Sequence, residues 1–196
     1  SPRLIKMREN IVYEVQLPSG RAALRLHRPG YQSASGIEAE LIWTRDLANG
    51  GLHVPLPIAT LSGALTTTAG DRTASCVSWV LGDPIGAAEL PLAGSEPEQA
   101  ALMERVGRLA AQLHDATDAL RLPESFPRPH WDTEGYLGDT PLWGPFWTNP
   151  AFSKDDLALI EEARAKARRL LTDLRPTADW GLIHADMLRE NILAQG

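Results

Sequence analysis

The chain has 196 residues, a formal net charge of −6 at pH 7, and hydrophobic side chains at 43% of its positions. A chain of this length folds as roughly one to two domains with a buried core, and its acidic balance argues against a nucleic-acid partner held by phosphate contacts. Cys76 is the single cysteine, which excludes an intrachain disulfide or a cysteine-built zinc site and suits a reducing cytoplasm. No apolar run approaches the ~20 residues of a membrane span, so no membrane partner is expected.

Residues 10–27 read as a β-hairpin. Ile11, Tyr13, Val15 and Leu17 alternate, Pro18-Ser19-Gly20 supplies the turn, and Ala22, Leu24 and Leu26 alternate back. A period of two places Ala23, Arg25 and His27 together on the opposite face. A loop at 27–31 breaks the pattern. A helix is expected from about Ser35 to Ala48, with Ile37, Leu41, Trp43 or Thr44, and Leu47 at helical spacing and Asn49-Gly50-Gly51 as its stop. Two strands are expected over 58–68 and 73–81, joined at Gly70-Asp71, and a linker rich in Pro, Gly and Ala covers 82–95.

Ser95-Glu96-Pro97-Glu98 has the pattern of a capping box and opens an amphipathic helix to about Ala116, striped by Leu102, Val106, Leu109, Ala110 and Leu113. Residues 121–150 are irregular and Pro-rich, and they carry Trp131, Tyr136, Trp143, Phe146 and Trp147. They read either as a recognition surface for a small polar ligand or as a long connection packed onto helices. A second helix is expected from an N-cap at Ser153 to about Leu174. Its core face would be Leu157, Ile160, Ala163, Ala167, Leu170 and Leu174, and Pro176 would end it.

The chemistry concentrates near the end of the chain. Leu182 and Ile183 deliver His184 and Asp186, four residues separate Asp186 from Asn191, and Ile192 and Leu193 follow at once. Two short buried strands flanking this polar loop would hold an acid and an amide on one rigid rim. Phosphoryl transfer needs such a rim, because an Asp accepts the proton of the attacking hydroxyl and an Asn oxygen holds a magnesium ion on the nucleotide phosphates.

The spacing His184-x-Asp186-x-x-x-x-Asn191 resembles the catalytic loop of the aminoglycoside phosphotransferase and choline/homoserine kinase-like family, relatives of the protein kinases. Ala185 stands where protein kinases usually carry Arg. Ala22-Ala23-Leu24-Arg25 resembles the kinase Val-Ala-Ile-Lys strand, with Arg25 in place of the usual Lys. Gly107-Arg-Leu-Ala-Ala-Gln-Leu-His114 resembles the first helix of that family's C-terminal lobe. The place of the protein-kinase Gly-rich phosphate loop is taken by Lys6-Met-Arg-Glu-Asn-Ile-Val-Tyr13, which has no glycine.

The resemblance implies a protein-kinase-like α+β fold, with an antiparallel-sheet, nucleotide-binding N-terminal lobe over 1–82 and the start of a helical C-terminal lobe over 83–196. It implies ATP and Mg²⁺ as cofactors. Ala23 would border the adenine, Arg25 would contact the phosphates, and Glu40, with Glu38 in reserve, would orient Arg25. The backbone around Ser78 and Trp79 would form the adenine hinge. Asp186 would act as base toward the hydroxyl of a small-molecule substrate, His184 would brace the loop, and Asn191 would hold the metal.

Family members place a further magnesium-binding Asp on the strand after the Asn. This sequence begins at Ser1 and reaches Gly196 without one, so it reads as a piece of a longer kinase with little activity alone. The expected reaction is transfer of the ATP γ-phosphate to a small hydroxyl compound. The alternative is a nucleotide-binding regulatory pseudokinase, favoured by Arg25 and the missing glycines. A hydrolytic metal site on His184 and Asp186 would explain neither Asn191 nor the strand bearing Ala23 and Arg25.

Overall fold

The computed structural model describes residues 1–123 and 126–195; Glu124 and Ser125, inside the irregular stretch 121–150, and Gly196 lie outside the described residues. Strands β1 (Arg3–Met7), β2 (Ile11–Leu17), β3 (Gly20–Leu26), β4 (Thr66–Ala69) and β5 (Arg72–Ser78) form one antiparallel sheet in the order β1-β2-β3-β5-β4. In the expected hairpin, Tyr13 faces Leu24 and Val12 faces Arg25. A slip of one residue would exchange the two faces, so the alternation itself specifies this register. Gly20 closes the turn at φ 124°, a conformation that disfavours any side chain.

No alternation announces β1. All five of its residues are exposed, so it has no buried face to write one, and Lys6 is typical of an edge strand. Arg3 of β1 pairs with Glu14 of β2, which Arg21 also reaches at 2.8 Å. The Arg3 hydrogen bond, helped by the charges of Arg21 and Arg3, holds the Glu14 carboxyl below its ordinary range.

Helix α1 (Ala34–Asn49) starts at Ser33, whose Oγ accepts the Gly36 N–H at 3.0 Å, and ends where the Gly50 N–H returns to Asp46 O at 2.9 Å. Its Ile37 and Leu41 pack with Val77 of β5, and Ala23 and Leu65 lie against them. The helix therefore covers the sheet face that carries Ala23 and Arg25. Farther along, Trp43 and Leu47 meet Leu113 of α2 (Glu96–Asp118). The buried Trp43 Nε1–H donates to Thr117 Oγ1 at 3.1 Å. Thr117→Val keeps the shape but leaves the indole N–H without an acceptor. It is expected to destabilise the protein by about 1–3 kcal/mol, read as a lower urea midpoint at unchanged slope.

Helix α2 opens on the expected capping box, with the Ser95 N–H and hydroxyl both donating to Glu98 at 2.7 Å. Of its stripe only Leu113 is buried; Leu102, Val106 and Ala110 are half-buried and Leu109 is exposed.

The structure departs from the expected strands at two places. The strand over 58–68 shrinks to β4, and the strand over 73–81 is β5, ending at Ser78. Pro57 bridges Val77 and the Ile58 N–H donates to Cys76 O at 2.8 Å, but the chain then turns on Thr60, whose N–H donates to Ala64 O at 2.8 Å around Gly63 at φ 86°. The two buried strands expected around the polar loop are also corrected. Residues 182–183 form no strand: Leu182 is half-buried against the cluster of Trp43, Leu47 and Leu113, while Ile183 is exposed. After the loop, a short exposed strand β7 (Leu193–Ala194) pairs with β6 (Asp83–Pro84).

Residues 1–127 and 181–196 form one unit and residues 128–180 another. The second unit holds α3 (Thr133–Leu137), a 3-10 turn at Phe146–Thr148, and α4 (Lys154–Leu174). Trp131, Tyr136 and Trp143 pack on one another with ring centroids 5.1 to 5.8 Å apart. The Arg164 guanidinium lies 3.6 Å from the centre of the Trp147 ring and donates to Leu137 O at 2.8 and 3.0 Å. The expected core face of α4 is not buried, with Leu170 and Leu174 54% and 58% exposed. Within its own unit α4 meets α3 and short 3-10 turns, which are too small to cover the stripe.

Candidate active site

Two periodicities bring Arg25 and Glu40 together. The period of two on β3 presents Arg25 beside Ala23, and the helical period on α1 sets Glu40 above it, one turn from the packed Ile37. Arg25 Nη1 lies 3.9 Å from Glu40 Oε1. Glu40 is the carboxylate singled out from the sequence, and Glu38 is exposed. With side chains 40% and 33% exposed, the pair adds little to stability. Ala23, half-buried, packs against the cluster of Ile37, Leu41 and Val77.

His27, third on the same face, has a role the sequence pattern did not assign. Its Nε2 lies 2.8 Å from Ser75 Oγ. Burial, then the charge of Arg25, push its pKa below the ordinary histidine value, with Glu40 pulling the other way. The Arg72 guanidinium donates to His27 O at 3.3 Å. The unfolded chain thus takes up this proton at a higher pH than the folded one. The associated stability is full above the unfolded value of 6.5 and is lost as pH falls through the folded value. His27→Gln, which retains a partner for Ser75, is expected to flatten the acid-side loss of stability below about pH 6.5, measured as urea midpoints across pH.

In the turn between β1 and β2, the Arg8 N–H donates to Asn10 O at 3.2 Å and Asn10 Oδ1 accepts the Arg28 N–H at 3.2 Å. Asn10, His27, Arg28, Tyr31, Gln32 and Glu40 line a small pocket that shares Glu40 with the ion pair.

At the end of β5, the Ser78 hydroxyl is engaged: its Oγ accepts the Leu56 N–H at 2.8 Å, and its N–H donates to Leu56 O at 2.8 Å. The Trp79 N–H donates to Arg21 O at 3.2 Å, and the Arg21 guanidinium stands 4.4 Å over the Trp79 ring.

The other candidate residues lie on the 184–191 loop. Ala185 has φ 63°, a left-handed turn that a small side chain tolerates best and a β-branched one least. Across that turn the Asp186 N–H donates to His184 Nδ1 at 3.2 Å. Asn191 Nδ2 donates to Asp186 Oδ2 at 2.8 Å and to Asp186 O at 3.0 Å, and the Asn191 N–H closes a turn on Leu188 O at 2.9 Å. His184, Asp186 and Asn191 are all exposed.

With its nitrogen turned to Asp186, the Asn191 amide keeps its oxygen free of that bond. A carboxylate and an amide oxygen form an oxygen donor set of the kind Mg²⁺ takes when phosphates and water complete its shell. Among the described residues no three His, Cys, Asp or Glu side chains converge as a closed metal site would require. The structure thus joins Arg25 to Glu40, and His184 and Asn191 to Asp186, within one unit.

The model of the phosphotransferase enzyme family matches residues 3–196. A homoserine kinase of Sinorhizobium medicae is 30% identical over 153 residues, covering 76% of this chain and 40% of that protein. The solved structure of a microcompartment-associated aminopropanol kinase matches with a TM-score of 0.73 and 29% identity, over 98% of this chain and 59% of that one. An amicoumacin kinase in complex with AMP-PNP, Ca²⁺ and Ami matches at 0.68 with 18% identity, over 95% and 53%. The expected protein-kinase-like α+β fold is the one these structures share with this chain. The chain spans about half the length of the curated relatives it matches, 40% to 53%. Among the described residues no helix is long and apolar enough to cross a membrane.

Proposed function

Because the chain belongs to the phosphotransferase enzyme family, we propose that it carries the nucleotide-binding lobe and catalytic loop of a cytoplasmic small-molecule kinase that transfers the γ-phosphate of ATP to a hydroxyl. The observation that carries this reading is the Asp186 carboxylate held at 2.8 Å by the Asn191 amide on a short, turned loop. The Arg25/Glu40 pair supports it from the sheet side.

In this reading residues 1–82 form the nucleotide lobe, residues 83–196 begin the helical lobe, and ATP lies between them. Ala23 borders the adenine, and the backbone around Ser78 and Trp79 meets its polar edge. Arg25, aimed by Glu40, takes the phosphates; an Arg fork differs from a Lys point charge in reach, and both neutralise phosphate oxygens. Asp186 orients the acceptor hydroxyl and accepts its proton as the oxygen attacks phosphorus. His184 braces the Asp186 backbone. Asn191 Oδ1 would hold Mg²⁺, which when bound neutralises phosphate charge. Catalysis is then mainly positioning and charge stabilisation.

The acceptor is a small hydroxyl compound. The homoserine kinase and aminopropanol kinase relatives make amino alcohols the first compounds to test. The experiment incubates the whole protein with Mg-ATP and a panel of such alcohols, choline-like compounds and aminoglycosides, reading ADP release. Acceptor-dependent ADP release is expected. Tight ATP binding with no release on any acceptor would favour the regulatory alternative.

A further inference from the structure

The residues between Asp186 and Asn191 are not idle spacers. Arg189 Nη2 donates to two backbone carbonyls of the linker after β6, Leu90 O at 2.9 Å and Ala88 O at 3.3 Å. Its neighbour Glu190 accepts the Ala88 N–H on Oε1 at 3.3 Å. Adjacent opposite charges thus take the two opposite polarities of one backbone segment, the cation its carbonyls and the carboxylate its N–H. Gly86 leaves room for the arrangement, since a Cβ there would stand 3.3 Å from Arg189 Cδ.

The fastening continues along the backbone. The Ile85 N–H donates to Ile192 O at 3.0 Å, β6 pairs with β7, and Gln195 Nε2 donates to Leu81 O at 3.3 Å. At Gly82 the approach is so close that a Cβ would stand 2.8 Å from Ala194 O. Every one of these contacts lies within one unit of the chain.

We propose that Arg189 and Glu190 are positioning residues that fasten the 186–191 loop to the 85–90 linker. Asp186 and Asn191 then keep their mutual geometry by reference to the segment that leaves β5, not by packing in a core, from which both are exposed. The proposal rests on the phosphotransfer reading of Asp186 and Asn191. No residue of the loop they occupy is buried and Leu188 is 51% exposed, so without the clamp its backbone would be free to open locally. A catalytic group displaced by about 1 Å loses rate on the order of a hundredfold, which sets the scale of the expected effect.

The test compares Arg189→Ala, Arg189→Lys, Glu190→Ala and Asp186→Asn in the whole protein, by steady-state kinetics and by amide hydrogen exchange without substrate. Arg189→Ala is expected to lower kcat by about ten- to a hundredfold, with the KM for ATP within about twofold of the parent. The amides of 85–90 and 186–192 are expected to exchange faster together. Arg189→Lys, which keeps one cationic donor, recovers part of both losses, and Glu190→Ala speeds exchange at Ala88. Wild-type kcat and wild-type exchange in both alanine variants would overturn the proposal, as would a change confined to KM. If Asp186→Asn turned over like the parent, the phosphotransfer reading would fall, while the exchange arm would still decide whether the clamp exists.

Discussion

Asp186→Asn is expected to lower the rate of phosphoryl transfer by about 10²- to 10⁴-fold, the usual range for a positioned general base. The substitution keeps the shape of the side chain and still offers an oxygen to the Asn191 amide, which now bonds Asp186 Oδ2 at 2.8 Å. What it removes is the negative oxygen that takes the hydroxyl proton in the proposed reaction. Affinity for the nucleotide, read by calorimetry, should therefore stay close to that of the parent while kcat collapses. Thermal unfolding should stay close as well, because Asp186 is exposed and buries nothing. Unchanged kcat would remove Asp186 from the chemistry and leave the loop a structural turn.

The second large effect belongs to Arg25. Truncation to Ala removes the cation that β3 presents and α1 aims, and it should lower kcat/KM for ATP by about a hundredfold, the scale of losing one charged donor to a developing charge. Glu40→Gln is milder, about tenfold, because the guanidinium remains and only its orientation loosens. Their effects should be less than additive, since both act through one guanidinium held at 3.9 Å. Wild-type kcat/KM in Arg25→Ala would mean that the phosphates are met by another cation, and the kinase-like reading of β3 would be withdrawn.

How far such features can be read from sequence depends on whether a residue writes a periodic signal. The β2/β3 hairpin was legible because its apolar residues alternate around a turn at Gly20, and α1 because it has one buried face and a defined stop at Gly50. Arg25 and Glu40 were legible as a pair because two different periodicities converge on one spot. By contrast, β1, β6 and β7 are short and exposed, so they carry no alternation at all. The α4 stripe was legible as a helix but misleading as a core, because periodicity records which residues share a face and not what covers it. Arg189 and Glu190 left no pattern, because their partners are main-chain atoms of residues about a hundred positions earlier.

The pairing of β6 with β7 has a consequence for the order in which the molecule assembles. Asp83 meets Ala194 across roughly 110 residues, so this contact closes a loop several times longer than that of any hairpin in the main sheet. Loop-closure entropy opposes it by about 4 kcal/mol, and only two exposed residue pairs and their flanking hydrogen bonds repay that cost locally. The five-stranded sheet, built largely from neighbours in sequence, can form early; the 184–191 loop joins it late and leaves it first. On gentle heating the phosphotransfer proposed for the whole protein should be lost before the sheet unfolds, with Asp186 no longer held in place.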